Sequence, residues 1–268
     1  MTPTPLSTPD QHRAGLPVWL KYVLIGLLAG LLSGLFGVGG GTVIVPLLVL
    51  LCGFDQRLAS GTSLAAILPT AVVGVISYAA VGSVSWLAAL LLAVGAVAGA
   101  QIGTWLLPRL PVRALQWGFV GFLAIVIVNL FLVIPSRDVD LVIGWGTGAA
   151  LLGVGLVTGT LAGLLGVGGG VVVVPALILL FDASDLVAKG TSLLMMIPTA
   201  LSGTLGNVKR GNTDLRAAAW IAAGSCVSTA GGAQLARILD PAVATPLFAV
   251  FLIVIAVQLG LKARRTPR

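Results

Sequence analysis

Long apolar stretches, separated by short polar connections, dominate the pattern of this 268-residue chain. Four stretches lie in each half, and each is long enough to cross the ~30 Å hydrocarbon core of a bilayer as a helix of ~20 residues. With 58% hydrophobic and 9% charged residues, the chain has too little polar surface to cover a soluble globule of its size. The pattern therefore predicts an all-α polytopic membrane protein.

The same glycine cluster interrupts the first apolar stretch of each half. Residues 34–46 read GLFGVGGGTVIVP, and 129 positions later residues 163–175 read GLLGVGGGVVVVP. Aligned without gaps, residues 34–82 and 163–211 are identical at 23 of 49 positions, so one unit has been duplicated. We divide the chain into a polar N-terminal tail (1–17), a first membrane repeat (18–134), a linker (135–140), a second membrane repeat (141–261) and a basic C-terminal tail (262–268).

The distribution of lysine and arginine indicates how each broken stretch is folded. If the stretch crosses the membrane once, the 15 basic residues divide 10 to 5 between the two sides, whereas a re-entrant hairpin divides them 12 to 3. Because basic residues favour the cytosolic side, we predict the hairpin, with both termini in the cytosol. Two repeats of inverted topology result, each a glycine-broken re-entrant hairpin followed by three transmembrane helices.

The returning limb of the first hairpin, residues 42–51, is too short to span a bilayer, since ten residues give roughly 15 Å of helix. We expect a half-helix completed by irregular chain through Asp55. Irregular backbone at that depth is tolerated only beside protein or a water-filled cavity.

The glycine clusters are the first candidates for binding chemistry. Because glycine disfavours a helical conformation, the cluster interrupts the helix, and the half-helix that follows begins without a capping side chain. The unpaired N–H groups at that N-terminus favour the binding of an anion. Broken segments at corresponding positions of two halves are typical of transporter binding sites. Close helix packing is the alternative role for these glycines. The candidates are Gly37, Gly39, Gly40 and Gly41 in the first repeat and Gly166, Gly168, Gly169 and Gly170 in the second.

Hydroxyl groups follow each cluster in a repeated Gly-Thr-Ser-Leu segment. Thr62 and Ser63, with Thr191 and Ser192 in the second copy, are candidates to cap free N–H groups or to face a substrate. Lys189 precedes the second copy, and a lysine at a helix N-terminus opposes the macrodipole unless an anion or a carboxylate offsets it. We therefore predict that Lys189 contributes to the anion site; extension of its side chain to the membrane interface is the alternative.

Pro69 and Pro198 bear on how the protein could move. They interrupt apolar helices and predict a hinge or a static kink.

The remaining polar residues exclude other classes of function. The chain has no glutamate and its eight aspartates are assigned to the tail and the connecting loops, so we expect no carboxylate in mid-membrane. Because one histidine and two separated cysteines offer neither a catalytic pair nor a metal-ligand cluster, we expect no enzymatic activity, no catalytic residue, no metal and no cofactor. Basic residues at segment ends argue against a nucleic-acid partner.

The paired glycine motifs and the paired Gly-Thr-Ser-Leu segments resemble the TauE/SafE family of sulfite and organosulfonate exporters, over about residues 16–261. Residues 82–86, Gly-Ser-Val-Ser-Trp, are similar to the family's Gly-x-Val-Asp-Trp loop, with Ser85 in place of the acid; the second copy keeps the acid, Asp214, and lacks the tryptophan. The resemblance implies a bacterial inner-membrane carrier, usually an exporter, for small sulfur-containing or carboxylate anions.

We therefore expect a secondary carrier in which two inverted repeats rock around a central anion site formed by the candidate residues above. An anion channel is one alternative, and it would require a continuous hydrated path. A membrane subunit that assembles partners and transports nothing is another, in which the glycine clusters serve packing alone. The substrate, the coupling ion, the direction of transport and the oligomeric state do not follow from the sequence.

Overall fold

The structure is a computed structural model that describes residues 17–132, 145–239 and 241–265. The first half contains helices α1 (Val18–Phe36), α2 (Gly41–Leu51), α3 (Gln56–Ala79), α4 (Trp86–Leu106) and α5 (Val112–Leu132), with a short 3-10 turn, Leu107–Arg109, after α4. The second half contains α6 (Trp145–Leu165), α7 (Gly170–Phe181), α8 (Asp185–Lys209), α9 (Leu215–Ile238) and α10 (Pro241–Arg265). The described residues form no strand.

The predicted all-α polytopic membrane protein is confirmed. By length and composition, α1, α3, α4, α6 and α8 can each cross a bilayer, and large apolar side chains on their outer surfaces are exposed. Residues 1–16 of the predicted N-terminal tail, the linker 135–140 with the repeat boundaries beside it, and residues 266–268 of the basic tail lie outside the described residues.

Both glycine-broken stretches fold back on themselves. Gly40, the N-cap residue of α2, has φ at +74°, and a β-carbon there would lie 2.9 Å from the carbonyl oxygen of Ala29, in the middle of α1. The ring of Phe54, after the end of α2, packs edge-on against Tyr22 near the start of α1, with 6.2 Å between ring centroids. The returning limb is therefore a half-helix with its N-terminus inside the bundle and irregular chain through Asp55 at its far end.

Glycine contacts pair the first helix of each half with the fourth helix of the other half. Gly26, Gly30 and Gly34 of α1 lie directly against backbone carbonyls of α9. Successive glycines along α1 meet carbonyls of successive turns of α9, in the same order. The same spacing on α4 sets three glycines against carbonyls of α6: Gly95, Gly99 and Gly103. Small residues at every fourth position allow such backbone approach between helices, so α1 runs parallel to α9 and α4 runs parallel to α6.

The corresponding helices α3 and α8 pack against each other at the centre and run antiparallel. Gly74, late in α3, meets Leu193 early in α8, while Gly203, late in α8, meets Leu64 early in α3. α5 and α10 pack together beside this core.

One end of the bundle, which we call the N-terminal face, carries the start of α1 and the start of α9, where Trp19 and Trp220 pack at a centroid distance of 5.8 Å. The start of α3 lies there too, because Phe54, just before α3, packs against Tyr22 near the start of α1. The α4–α5 connection lies beside it, since the Arg57 guanidinium donates to the Leu110 carbonyl at 2.6 Å. The opposite face carries the end of α3 and the start of α8.

Candidate functional site

The two predicted glycine clusters meet at the centre of the bundle. A β-carbon at Gly41, the first residue of α2, would lie 2.5 Å from the carbonyl oxygen of Gly166. A β-carbon at Gly170, the first residue of α7, would lie 2.5 Å from the carbonyl oxygen of Gly37. Each half-helix therefore begins against the helix break of the other half, and only glycine fits at these two positions.

The N-termini of α2 and α7 carry no side-chain cap. Their N-cap residues are Gly40 and Gly169, both with positive φ, and the first helical hydrogen bonds come from Val43 and Val172. Among the described residues, no acceptor pairs with the preceding amides, which belong to Gly41 and Thr42 in α2 and to Gly170 and Val171 in α7. Two groups of free backbone N–H donors, each at the positive end of a helix dipole, thus lie inside the protein.

Thr42 adds an unpartnered hydroxyl to the first of these N-termini. Its side chain is fully buried in the first turn of α2, and its oxygen has no hydrogen-bond partner. The Ser33 hydroxyl in α1 is likewise buried and unpartnered. The second half has Val171 and Ala162 at the corresponding positions, so the two N-termini differ in polarity. A buried hydroxyl without a partner costs about 1–3 kcal/mol, and a ligand or a water that it binds would offset that cost.

The serines of the Gly-Thr-Ser-Leu segments connect the two halves. The Ser63 hydroxyl donates to the Gly166 carbonyl at 2.7 Å, and the Ser192 hydroxyl donates to the Gly37 carbonyl at 2.9 Å. Each serine thereby pairs the last carbonyl at a helix break, which no amide of its own helix can reach. Because these hydroxyl hydrogens are committed to carbonyls in this structure, the serines can offer a ligand only their oxygen lone pairs.

The threonines of the same segments hold the loops of the opposite half. The hydroxyl of Thr62 accepts the Asp214 N–H at 3.0 Å, and that of Thr191 accepts the Ser85 N–H at 2.9 Å. The loop positions that resemble the family's acidic loop are therefore backbone partners of the Gly-Thr-Ser-Leu segments, whichever side chain they carry. All four hydroxyl side chains of the two segments are fully buried.

Ile67 and Met196, which the motif analysis missed, fill the space between the two breaks. A β-carbon at Gly39 would lie 2.5 Å from the Met196 sulfur, and one at Gly168 would lie 3.2 Å from Ile67 Cδ1. Both side chains are fully buried. The centre is therefore closed by two apolar side chains at corresponding positions. The one sequence signal for them is that each stands two residues before the proline of its helix.

Lys189 lies beside the break after α1, and its partner is a carboxylate of its own helix. Its Nζ is 2.7 Å from Oδ2 of Asp185, one turn earlier in α8, and the two side chains are only 10% and 5% exposed. The assignment of every aspartate to a tail or loop was therefore wrong for Asp185, because this buried residue begins α8. A β-carbon at Gly37 would lie 2.7 Å from Lys189 Cβ, so the lysine stem packs against the break.

The corresponding place in the first half is neutral. Gln56 and Ser60 stand where the second half has Asp185 and Lys189. Gln56 is fully buried with no partner for its side-chain amide, and the Ser60 hydroxyl donates to the Gln56 carbonyl at 2.8 Å. On the opposite face, the buried Tyr78 near the end of α3 joins this helix to α1, because its hydroxyl donates to the Gly34 carbonyl at 2.7 Å.

Pro69 and Pro198 lie inside α3 and α8, where the helices continue past them. The threonine after each proline donates to a carbonyl of the preceding turn, Thr70 to Ala66 at 2.9 Å and Thr199 to Met195 at 2.8 Å. A hinge at these prolines stays a prediction.

Among the residues that the structure describes, no group of three or more histidine, cysteine or acidic side chains is placed to hold a metal ion.

Comparison with known proteins identifies the family. The model of the sulfite exporter TauE/SafE family matches residues 3–130 and 151–268. The probable membrane transporter protein YunE of Bacillus subtilis is 27% identical over 260 residues, which cover 88% of this chain and 95% of YunE. The probable membrane transporter protein YjnA of the same organism is 29% identical over 237 residues, covering 83% of this chain and 92% of YjnA. No solved structure matches the chain. The resemblance of the glycine motifs is thus confirmed, and this multi-pass membrane protein belongs to the TauE/SafE transporter family.

Proposed function

We propose that this protein is a secondary carrier that exports or exchanges a small anion across the inner membrane, without chemical change of its substrate. Sulfite, an organosulfonate or a short carboxylate is the expected substrate class. The anion site lies between the glycine breaks, and access alternates as two inverted repeats move against each other. Both termini are cytosolic in this scheme.

The observation that carries the proposal is the convergence of two uncapped half-helix N-termini. Free amides at Gly41 and Thr42 and at Gly170 and Val171 can donate to the oxygens of a sulfonate, sulfite or carboxylate group. Thr42 offers a further donor, since its buried hydroxyl has no partner in the protein. No permanent cation is needed at this point, which allows binding to be weak enough for release.

The inversion of the repeats is supported by the packing of equivalent helices. α3 and α8 have corresponding sequences and run antiparallel, as expected for copies related by an axis in the membrane plane. The charge distribution favours the same arrangement.

Alternating access requires that Ile67 and Met196 separate, because their side chains fill the space beside the amides. We expect the movement to occur at Pro69 and Pro198, two residues further along the same helices, where the helical hydrogen-bond ladder is interrupted. The buried ion pair of Lys189 and Asp185 and the neutral Gln56 and Ser60 make the two entrances chemically different. Such a difference can give the anion different apparent affinities on the two sides, while the direction of net transport is set by the gradients of the anion and of any coupled ion.

Counterflow in proteoliposomes tests the proposal. Vesicles preloaded with unlabelled sulfite, sulfoacetate, a short carboxylate or the zwitterionic sulfonate taurine should accumulate the same compound, added outside with a radioactive label. A Gly169→Ala variant should weaken this exchange, because the new methyl group would lie 3.3 Å from Met195 Cε and 3.4 Å from the Thr158 carbonyl oxygen, beside the free amides. Gly211→Ala is the matched control: its φ of +71° imposes comparable backbone strain, but no atom lies within 4 Å of the new carbon.

The outcomes separate the alternatives. Uptake without stimulation by the anion on the opposite side would indicate a channel and contradict the carrier. Absence of anion movement by folded, reconstituted protein for every anion tested would contradict transport of this substrate class. Equal exchange by the Gly169→Ala and Gly211→Ala variants would contradict the amide site at α7.

A further inference from the structure

A cavity of about 520 Å³ opens between α4 and α8 at the N-terminal face. It is lined by Gln101, Leu205, Gly206, Lys209 and Arg210. It lies apart from the central glycine breaks, and the proposed transport cycle assigns it no role. Its two cations stand at the end of α8, where positive charge is favourable beside the carbonyl end of the helix dipole.

The cations of this cavity have no acidic partner in the described part of the chain, where the one ion pair is that of Lys189 and Asp185. Arg210 is nonetheless held in place, since its Nη1 donates to the Gly206 carbonyl at 2.6 Å and to the Thr104 hydroxyl at 3.3 Å. Lys209 and Arg210 are both exposed. The site therefore combines a positioned guanidinium with a movable ammonium, and an anionic group that reaches it would neutralise both.

The surroundings of the cavity are those of a membrane interface. Trp105, one turn along α4 from Gln101, is 51% exposed, and the Arg109 guanidinium stacks on its ring with 3.7 Å between Cζ and the ring centroid. Aromatic residues of this kind concentrate at the level of lipid headgroups. The surface beside the cavity is apolar, because Ile102 and Leu205 are 48% and 53% exposed there. A phosphate with acyl chains attached fits both the basic cavity and the apolar surface beside it. A small soluble anion would contact only the basic cavity.

The polar residues that line the cavity have no polar counterparts at the corresponding positions of the other repeat. The positions that correspond to Lys209 and Arg210 are Ala80 and Val81, and the position that corresponds to Gln101 is Ala230. The basic side is the one that the charge distribution predicts to be cytosolic, and basic pockets between transmembrane helices on that side suit anionic headgroups. Of the two positions related by the repeat, only the one formed by Gln101 with Lys209 and Arg210 carries these polar groups.

Occupancy of the cavity would affect how the two halves hold together. Gln101 Nε2 donates to the Ser202 carbonyl at 2.8 Å and to the Ser202 hydroxyl at 2.7 Å, which links α4 of the first half to α8 of the second. The contact between Arg210 and Thr104 links the same two helices. From this geometry we propose that the cavity binds the phosphate headgroup of an anionic phospholipid and that the bound lipid stabilises the contact between the halves.

The test uses purified full-length protein in a neutral detergent, titrated with phosphatidylglycerol while thermal unfolding is followed. Phosphatidylglycerol should raise the unfolding midpoint, and phosphatidylcholine should raise it much less. In a Lys209→Gln/Arg210→Gln variant the lipid concentration for half of the effect should rise about 10- to 30-fold, given ~1 kcal/mol for each basic residue near an anionic lipid. The matched control, Lys21→Gln/Arg216→Gln, removes two basic residues outside the cavity lining on the same face and should respond like the wild type.

Three further experiments make the outcome decisive. A Lys209→Arg/Arg210→Lys variant keeps both charges and should retain most of the lipid effect; native mass spectrometry of each variant should show the same order of phosphatidylglycerol retention. Inorganic phosphate at millimolar concentration should neither reproduce the stabilisation nor displace the lipid. Equal lipid responses of the Gln double variant and its control would overturn the proposal, and full displacement by inorganic phosphate would assign the cavity to a soluble anion instead.

Discussion

The Ser63 hydroxyl donates across the centre of the molecule to the carbonyl of Gly166, 2.7 Å away. The corresponding bond from Ser192 to Gly37 measures 2.9 Å. Each half of the protein thus pairs the carbonyl left free at the helix break of the other half. The break needs this partner because the glycine turn carries the chain away from the helix before another amide can reach that carbonyl.

The first prediction concerns these serines. Ser63→Ala and Ser192→Ala should each lower the free energy of unfolding by about 1–3 kcal/mol, since each leaves a buried carbonyl unpaired. Thermal unfolding in detergent measures the loss. Ser77→Ala is the control, because the Ser77 hydroxyl donates only within its own helix, to Val73 at 2.9 Å. If all three variants unfold alike, the serines do not hold the halves together.

The sequence predicted the residues of these motifs but not their partners. Gly37, Ser63, Gly166 and Ser192 are recognisable because the repeat doubles them. Which carbonyl each hydroxyl meets depends on the packing of α3 against the break of the opposite half, and no local pattern contains that information. The sequence suggested that these serine hydroxyls cap free N–H groups or face a substrate, whereas in the fold they donate to carbonyls of the opposite half.

Ile67 and Met196 were missed for a different reason. Their types differ between the repeats and they are ordinary apolar residues, so neither identity nor chemistry distinguishes them from the rest of α3 and α8. The pairing of Asp185 with Lys189, by contrast, could have been predicted from their spacing of four residues once α8 was known to begin at Asp185. The error lay in the position of a helix end, which sequence patterns define poorly.

The second prediction concerns topology. In a background with Cys52 and Cys226 replaced by serine, Asp55→Cys should react with a membrane-impermeant maleimide only from the cytosolic side of the membrane. Asp182→Cys should react only from the other side. Both residues are exposed, and they occupy corresponding connections, before α3 and before α8. Labelling of intact cells and of inverted membrane vesicles distinguishes the two sides. If both cysteines react from one side, the repeats are not inverted.

The third prediction concerns Thr42. Thr42→Val gives the first half the residue that the second half has at Val171, and it removes a buried hydroxyl without a partner. The free energy of unfolding without substrate should stay level or rise by up to about 1–3 kcal/mol, because a desolvated polar group is lost. Anion affinity, measured by titration calorimetry, should fall.

Ser33→Ala is the control for Thr42→Val. It also removes a buried, unpartnered hydroxyl and also introduces the residue of the second half, Ala162. Since Ser33 lies in α1 and outside the first turn of α2, its removal should leave anion affinity unchanged. Equal anion affinity in the Thr42→Val variant and the wild type would exclude Thr42 as a ligand.

The last prediction concerns the buried pair of Lys189 and Asp185. Lys189→Ser leaves the Asp185 carboxylate buried without its cation and should cost about 3–5 kcal/mol of unfolding free energy. Asp185→Gln leaves the ammonium alone and should cost a similar amount. The double variant, Asp185→Gln/Lys189→Ser, reproduces the neutral Gln56 and Ser60 of the first half and should recover most of the stability.

The stable double variant then separates the two functions of the lysine. If Lys189 also attracts the substrate, anion binding measured by titration calorimetry should weaken by more than about 1 kcal/mol, the lower part of the range for a charge-assisted hydrogen bond. Lys21→Gln, which removes a basic residue near the start of α1, should bind the anion like the wild type. An unchanged dissociation constant in the double variant would restrict the function of Lys189 to its ion pair. The backbone amides of the two half-helices, with Thr42, would then be the ligands that bind the anion.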